Sequence, residues 1–209
     1  MKKLFVLFDS VLVLCITAVS SHATLWDRGG GLIYDDELNI TWLQDANYAM
    51  TSGYDTDGRM TWDEAMHWVD SLIYQDYDDW RLPTALNQDG SGPCGTGFDC
   101  TGSEMGHLYY TELGNPIGGP MSNTGPFGAT LQLHFYWSGT EYDADPGYAW
   151  YFDFTNGYQS FGYYSGLKGN PYPAWAVRDG DVAPVPEPSS LLLLGSGLIG
   201  MLGFRRWRN

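Results

Sequence analysis

Three histidines follow the first two dozen residues of the chain: His67, His107 and His134. Asp63, His67 and Asp70 stand at i, i+4 and i+7 on one face of a helical segment, a spacing that could hold a divalent metal. They lie opposite the apolar stripe of that segment, so a solvated polar face accounts for them more simply. Asp55-x-Asp57-Gly58 opens like a calcium loop but lacks the third acidic position and the closing bidentate Glu, which excludes an EF-hand. A looser calcium site could draw on Asp55 and Asp57, or on Asp76, Asp78 and Asp79. The competing reading is that these acids keep an aromatic-rich domain soluble, and no firm cofactor follows. Gly-x-Ser-x-Gly, His-Glu-x-x-His, Cys-x-x-Cys and phosphate-cradling glycine loops are all missing from the sequence. Carboxylates are so abundant that two at glycosidase spacing would arise by chance, so proximity argues nothing for acid–base catalysis. The expectation is a domain that binds and does not turn over.

Binding chemistry rests on the aromatics. Nine tryptophans and fifteen tyrosines supply flat, rigid rings, the tyrosines with a polar tip, suited to the faces of polysaccharide rings. Tyr142, Tyr148, Tyr158, Tyr163, Tyr164 and Tyr172 cluster near the late turns and are the candidate ligand contacts, with packing as their competing role. Cys94 and Cys100, with five residues between them in "PCGTGFDC", form an even pair that in an oxidising compartment predicts a small disulfide loop.

The elements that must position these residues are short. "LWDRGGGLIYDDELNITWLQDANY" alternates apolar and polar residues around a polar turn, which predicts two strands. "MTWDEAMHWVDSLIY" predicts a helix, capped by a Thr61–Glu64 box and burying Trp62, Ala65, Val69 and Leu72. "DDWRLPT" is extended, and "SEMGHLYYTELGN" predicts a second helix capped by Ser103 and stopped by Gly114. Three aromatic strand signals close the domain: "HFYWSGTEY", "YAWYFDFTNGYQSFGYY" with a turn at Asn156-Gly157, and "AWAVRDG". Strands, two helices, then strands predict an α+β fold with a mainly antiparallel sheet.

The two ends carry targeting signals. Residues 1–23 combine Lys2 and Lys3, an apolar run and the small-residue site Ser21-His22-Ala23, which predicts a secretory signal peptide cut after Ala23. Residues 24–183 are the extracellular domain, with 23 Asp and Glu against 5 Lys and Arg, a net charge of −18. So negative a surface repels phosphate backbones and excludes nucleic acid as a partner. Residues 184–209 hold Pro186-Glu187-Pro188, an apolar run from Leu191 to Phe204, and then Arg205, Arg206 and Arg208. At ~1.5 Å per residue, Ser189 to Phe204 falls short of the ~30 Å hydrocarbon core, a marginal transmembrane helix. The arginines hold the C-terminus in the cytoplasm. The order of these three parts resembles the PEP-CTERM sorting signal. That resemblance implies an exosortase-type membrane protease as partner, an inner-membrane precursor, and delivery to the cell surface or extracellular space.

The middle of the chain carries a second resemblance. "MTWDEAMHWVDSL", "WRLPT", "YWSGTE", "AWYFDFTNG" and "AWAVRDG" occur in the order seen in the Lcl C-terminal domain family, named after a collagen-like adhesin. The resemblance spans roughly Gly31 to Gly180 and implies a C-type-lectin-like fold whose first and last strands pair. The Glu-Pro-Asn and Gln-Pro-Asp tripeptides of calcium-dependent lectins do not occur, and "GNPIGG" does not match them. The expected function is adhesion or exopolysaccharide association in the cell envelope. A polysaccharide-active enzyme and a purely structural envelope protein are the alternatives. Within the domain, Trp80, Leu82, Trp137, Trp150, Trp175 and Val177 should be buried, and Arg81 or Arg178 should pair with a carboxylate.

Overall fold

The computed structural model describes residues 24–131, 134–162 and 164–182. The signal segment, Tyr163 and the whole sorting segment, with Pro186, Glu187, Pro188 and the three arginines, lie outside the described residues.

Three consecutive glycines turn β1 (Leu25–Gly29) back onto β2 (Leu32–Asp35). Gly29, Gly30 and Gly31 take φ of 76°, 60° and 79°, the left-handed region where glycine sits without strain. A side chain on Gly31 would also strike the Tyr74 hydroxyl, which donates to the Gly30 carbonyl at 2.8 Å. β2 pairs antiparallel with β3 (Ile40–Leu43). The segment thus holds three strands where alternation predicts two, because it turns twice, at the glycines and again after Asp35.

The last strand, β9 (Val177–Asp179), adds to the free edge of β3, with Val177 opposite Trp42. The terminal strands share one sheet in the order β1-β2-β3-β9, but they do not pair with each other as expected. The burial pattern explains the correction. All four residues of β3 are buried and need cover on both edges, whereas β1 exposes Trp26 and Asp27 and serves as the solvent edge.

A one-turn helix, α1 (Tyr48–Thr51), follows, and β4 (Arg59–Met60) leads into α2 (Trp62–Ser71). The capping box forms as predicted: Glu64 N–H donates to Thr61 Oγ1, and Thr61 N–H donates to Glu64 Oε2 at 2.9 Å. Ala65, Trp68 and Val69 are buried, while Trp62 is half-buried with its indole N–H on the Ser138 carbonyl. The second helix starts on Ser103, whose Oγ accepts from Gly106 N–H at 3.2 Å. After one α-turn, α3 (Glu104–His107), it widens into a π-turn at Leu108–Glu112, with Leu113 N–H donating to the Leu108 carbonyl at 2.9 Å. Gly114, at φ 61°, follows its end.

β5 (Phe135–Glu141), β6 (Ala149–Asp153) and β7 (Tyr158–Ser160) form an antiparallel meander, with the β6–β7 turn at Asn156-Gly157. β8 (Tyr172–Pro173) pairs with β4. Helices are few and the sheets antiparallel, the α+β arrangement that the element order predicts.

The core is aromatic. Trp175 packs at 4.7 Å from both Trp42 and Phe127 and at 5.9 Å from Tyr136 and Phe154. Buried indoles need acceptors, and backbone carbonyls of other segments provide them: Trp175 donates to Leu43 at 2.6 Å and Trp137 to Met60 at 2.9 Å. Trp80, Leu82, Trp137, Trp150, Trp175 and Val177 are all buried, as predicted.

Both arginines pair. Arg178 forks onto Asp79 at 2.7 and 2.8 Å with its guanidinium over the Tyr77 ring. Arg81 makes a bidentate pair with buried Glu104 at 2.8 and 2.6 Å and also holds Asp179 at 2.6 Å. Its backbone exchanges two hydrogen bonds with Val177, so one residue ties the Trp80–Thr84 segment to α3 and β9. Arg81→Ala should cost about 2–3 kcal/mol, the loss for a broken pair discounted for the partial exposure of Arg81. Equilibrium urea unfolding of the exported protein measures it, and a change below about 0.5 kcal/mol would show that this fork is not structural.

Candidate functional site

Two concave sites stand out among the described residues. The first lies where the β5–β6 loop meets the loop after β7. Tyr142, Asp145, Tyr148 and Phe161 line a pocket of about 260 Å³. The loop is built, not slack: Tyr142 N–H donates to the Tyr148 carbonyl, Tyr148 N–H to the Asp145 carbonyl, and Gly147 N–H to Asp145 Oδ1 at 2.9 Å. Ala149 and Gly166, and Lys168 and Gly147, join the two loops through their backbones. The Tyr142 ring lies flat on Phe161, centroids 3.7 Å apart and planes 9° from parallel, and Trp150 meets Phe161 edge-on at 5.0 Å. Stacked rings beside one carboxylate offer an apolar platform with an acceptor at its rim.

The second site is an acidic cleft of about 520 Å³ over the disulfide loop, lined by Glu37, Asp89, Asp99 and His107 among others. Cys94 and Cys100 are bonded, with Cα atoms 5.7 Å apart, as the spacing predicts. The loop they close is fastened to β7, since Gly97 and Gln159 exchange backbone hydrogen bonds at 2.9 Å. At the cleft's edge His107 meets Glu112 at 3.4 Å, with buried Asp35 close by. Burial opposes the charged imidazole, yet Glu112, Asp35 and Glu37 outweigh it and hold the His107 pKa above its ordinary value. Burial pushes the Asp35 carboxyl up to about 6, against the opposing pull of the Leu38 N–H that it accepts at 3.0 Å.

The predicted site residues are dispersed. Tyr142 and Tyr148 meet in the first pocket, joined by Asp145 and Phe161, which sequence reasoning did not single out. Tyr164 is 85% exposed on the adjoining loop, and Tyr158 packs edge-on against Phe98 at 4.9 Å beside the disulfide loop. Tyr172 is buried against Trp137 and Phe135, so it belongs to the core and not to a contact surface. Its strand is two residues long and becomes visible only through its pairing with β4.

Three of the five candidate calcium ligands are engaged locally. Asp55 Oδ1 accepts from the Asp57 and Gly58 N–H groups, which lowers its pKa, and Asp57 Oδ1 accepts from Arg59 N–H. Asp79 is taken by Arg178, which holds its pKa low, while Asp76 and Asp78 are exposed. Among the described residues, the three ligand-type side chains that converge within 4.8 Å are Asp35, His107 and Glu112. No spacing rule reaches them, because an α-helix would place His107 and Glu112 about 140° apart and only the π-turn aligns them. Asp63, His67 and Asp70 stay on the exposed face of α2.

An α+β domain with an aromatic core, an aromatic pocket and an acidic cleft is the class that the geometry defines. Residues 31–178 match the Lcl C-terminal domain, and the chain belongs to that family. Residues 184–208 match the PEP-CTERM protein-sorting motif, which marks an exported protein sorted by exosortase to the cell surface or extracellular space. No curated protein and no solved structure matches the chain.

The anchoring of the disulfide loop to β7 generates an expectation. Exported protein should show no free thiol by intact mass, and Cys94→Ser with Cys100→Ser should lower stability by about 2–3 kcal/mol. Two free thiols in the exported chain would refute the pairing.

Proposed function

We propose that the domain is an adhesive module of lectin-like fold that retains exopolysaccharide at the cell surface, by binding without turnover. The observation that supports it is the pocket of Tyr142, Asp145, Tyr148 and Phe161 on a chain sorted to the exterior. Stacked tyrosine and phenylalanine match the C–H faces of pyranose rings, and Asp145 accepts from sugar hydroxyls. A domain of net charge −18 repels uronate and sulfate, which favours neutral or amino-sugar polymers. The lectin-like reading rests on the family and on short helices flanking antiparallel sheets, since fold alone fixes no ligand.

A glycan array probed with exported protein tests the reading. Tyr148→Ala should weaken binding to the best neutral polymer about tenfold, or ~1.4 kcal/mol, with little change in melting temperature. His67→Ala should leave binding unchanged, and no cleavage products should appear. Equal retention by the Tyr148→Ala variant, or product release on incubation, would defeat it.

The route to the surface is part of the proposal. The apolar run holds a precursor in the inner membrane until exosortase cuts near Glu187, in the Pro186–Pro188 stretch where prolines keep the backbone out of helix. Each arginine costs ~2.5–3.5 kcal/mol near the bilayer centre, so Arg205, Arg206 and Arg208 hold the C-terminus inside. Replacing the three by Ser should impair retention and processing, and Pro186→Ala with Glu187→Ala should trap uncut precursor. Fractionation with C-terminal mass determination in the native host decides it. Recovery of only the intact chain in the membrane would indicate a permanent anchor.

A further inference from the structure

Asp35 is fully buried, and the side chains of His107 and Glu112 are only 5% and 1% exposed. Asp35 Oδ2, His107 Nε2 and Glu112 Oε1 are all buried and none makes a well-formed hydrogen bond, although the Trp42 indole N–H approaches Asp35 and His107 lies 3.4 Å from Glu112. These three orphaned atoms come from Asp35 at the end of β2, from α3 and from the π-turn, and they converge within 4.8 Å. Buried polar atoms are nearly always satisfied, so three at one point need a common partner. A divalent cation would answer all three at once, whereas a proton on His107 reaches Glu112 alone, 3.4 Å away. Asp35, Glu112 and the more distant Glu37 meet one imidazole there, and among the described residues four cations are committed elsewhere: Arg28 to Asp181, Arg81 to Glu104 and Asp179, Lys168 to Glu141, Arg178 to Asp79.

We propose that Asp35, His107 and Glu112 form a binding site for one divalent transition-metal ion of the zinc or manganese kind, opening onto the acidic cleft. The 3.4 Å between His107 Nε2 and Glu112 Oε1 equals the separation, about 3.4 Å, of two tetrahedral ligands each ~2.05 Å from zinc. An ion would draw the wider separations inward by roughly 1.4 Å, within the reach of a carboxylate rotation. Glu37 Oε2, 3.9 Å from His107 Nε2 and more than half exposed, stands on the solvent side as a fourth ligand or as a gate. The imidazole selects against calcium and magnesium, which take all-oxygen shells. With three buried ligands and one side facing the cleft, the ion keeps a position for water or a ligand hydroxyl.

The site is independent of the tyrosine pocket and is tested separately. Exported protein is stripped with a chelator, dialysed and titrated with zinc chloride by calorimetry. One ion per chain should bind with micromolar or tighter affinity, excess calcium should not displace it, and the melting temperature should rise with zinc. Asp35→Asn, which keeps the acceptor for Leu38 N–H, and Glu112→Gln should each weaken binding at least tenfold. No saturable zinc binding, equal affinity in both variants, or displacement by calcium would overturn the site. Should both variants misfold, anomalous diffraction at the zinc edge from wild-type crystals still decides. Density between these three side chains supports the site, and an ion only at His67 or at Asp76–Asp79 overturns it.

Discussion

Positive charge is the scarce material in this domain, and Arg81 is where it does most for the structure. Five cations face 23 carboxylates, so any carboxylate buried during folding competes for few partners. Glu104 wins Arg81 because the two meet as bidentate forks in a partly dehydrated place, where a guanidinium holds a carboxylate best. Glu104 Oε2 then also accepts from Thr84 N–H at 2.7 Å. The string Trp80–Thr84 is thereby held at both ends. Its backbone bridges to Val177, and its arginine reaches the first turn of α3. That tie adds to the contacts of His107 with Glu37 and Asp35 in joining the helix to the sheet.

The aromatic core solves a second problem in a compatible way. Short strands and few helices leave many carbonyls outside regular ladders, and each needs a donor or water. Indole N–H groups from Trp62, Trp80, Trp137 and Trp175 find such carbonyls while their rings fill the interior. A phenylalanine at Trp175 would keep most of the area and abandon the Leu43 carbonyl, which explains how tryptophan content and irregular backbone go together here.

Features written in local spacing were legible from sequence: the Thr61–Glu64 box, the Ser103 cap, the Asn156-Gly157 turn and the Cys94–Cys100 loop. The buried motif tryptophans were legible through the family resemblance, whose motifs they fill. What escaped depends on pairings between distant segments. β8 has two residues, so the burial of Tyr172 is set by β4, more than a hundred residues earlier. The triple-glycine turn hid a third strand, since glycines read as loop in any register. Local repetition of Asp is visible in the sequence, whereas the engagement of Asp55 and Asp57 by neighbouring N–H groups, and of Asp79 by Arg178, is not. The converging acids, Asp35 and Glu112, look unremarkable in their own segments.

The π-turn links these threads. A single widened turn is strained relative to α-helix and persists where something else favours it. Here it sets Glu112 beside His107, carries Tyr109 and Tyr110 to opposite duties, and lets Tyr109 pack on Phe152 and Phe154. Tyr110 instead reaches the Gly157 carbonyl at 2.8 Å, where a side chain on Gly157 would collide with both tyrosines. The packing alone therefore justifies a bend in the helix. It does not justify turning a carboxylate inward against two others, because Glu112 would have been better solvated on the outer face. The inward Glu112 is met by His107 at 3.4 Å, and the proposed cation would offset its repulsion from the two other carboxylates.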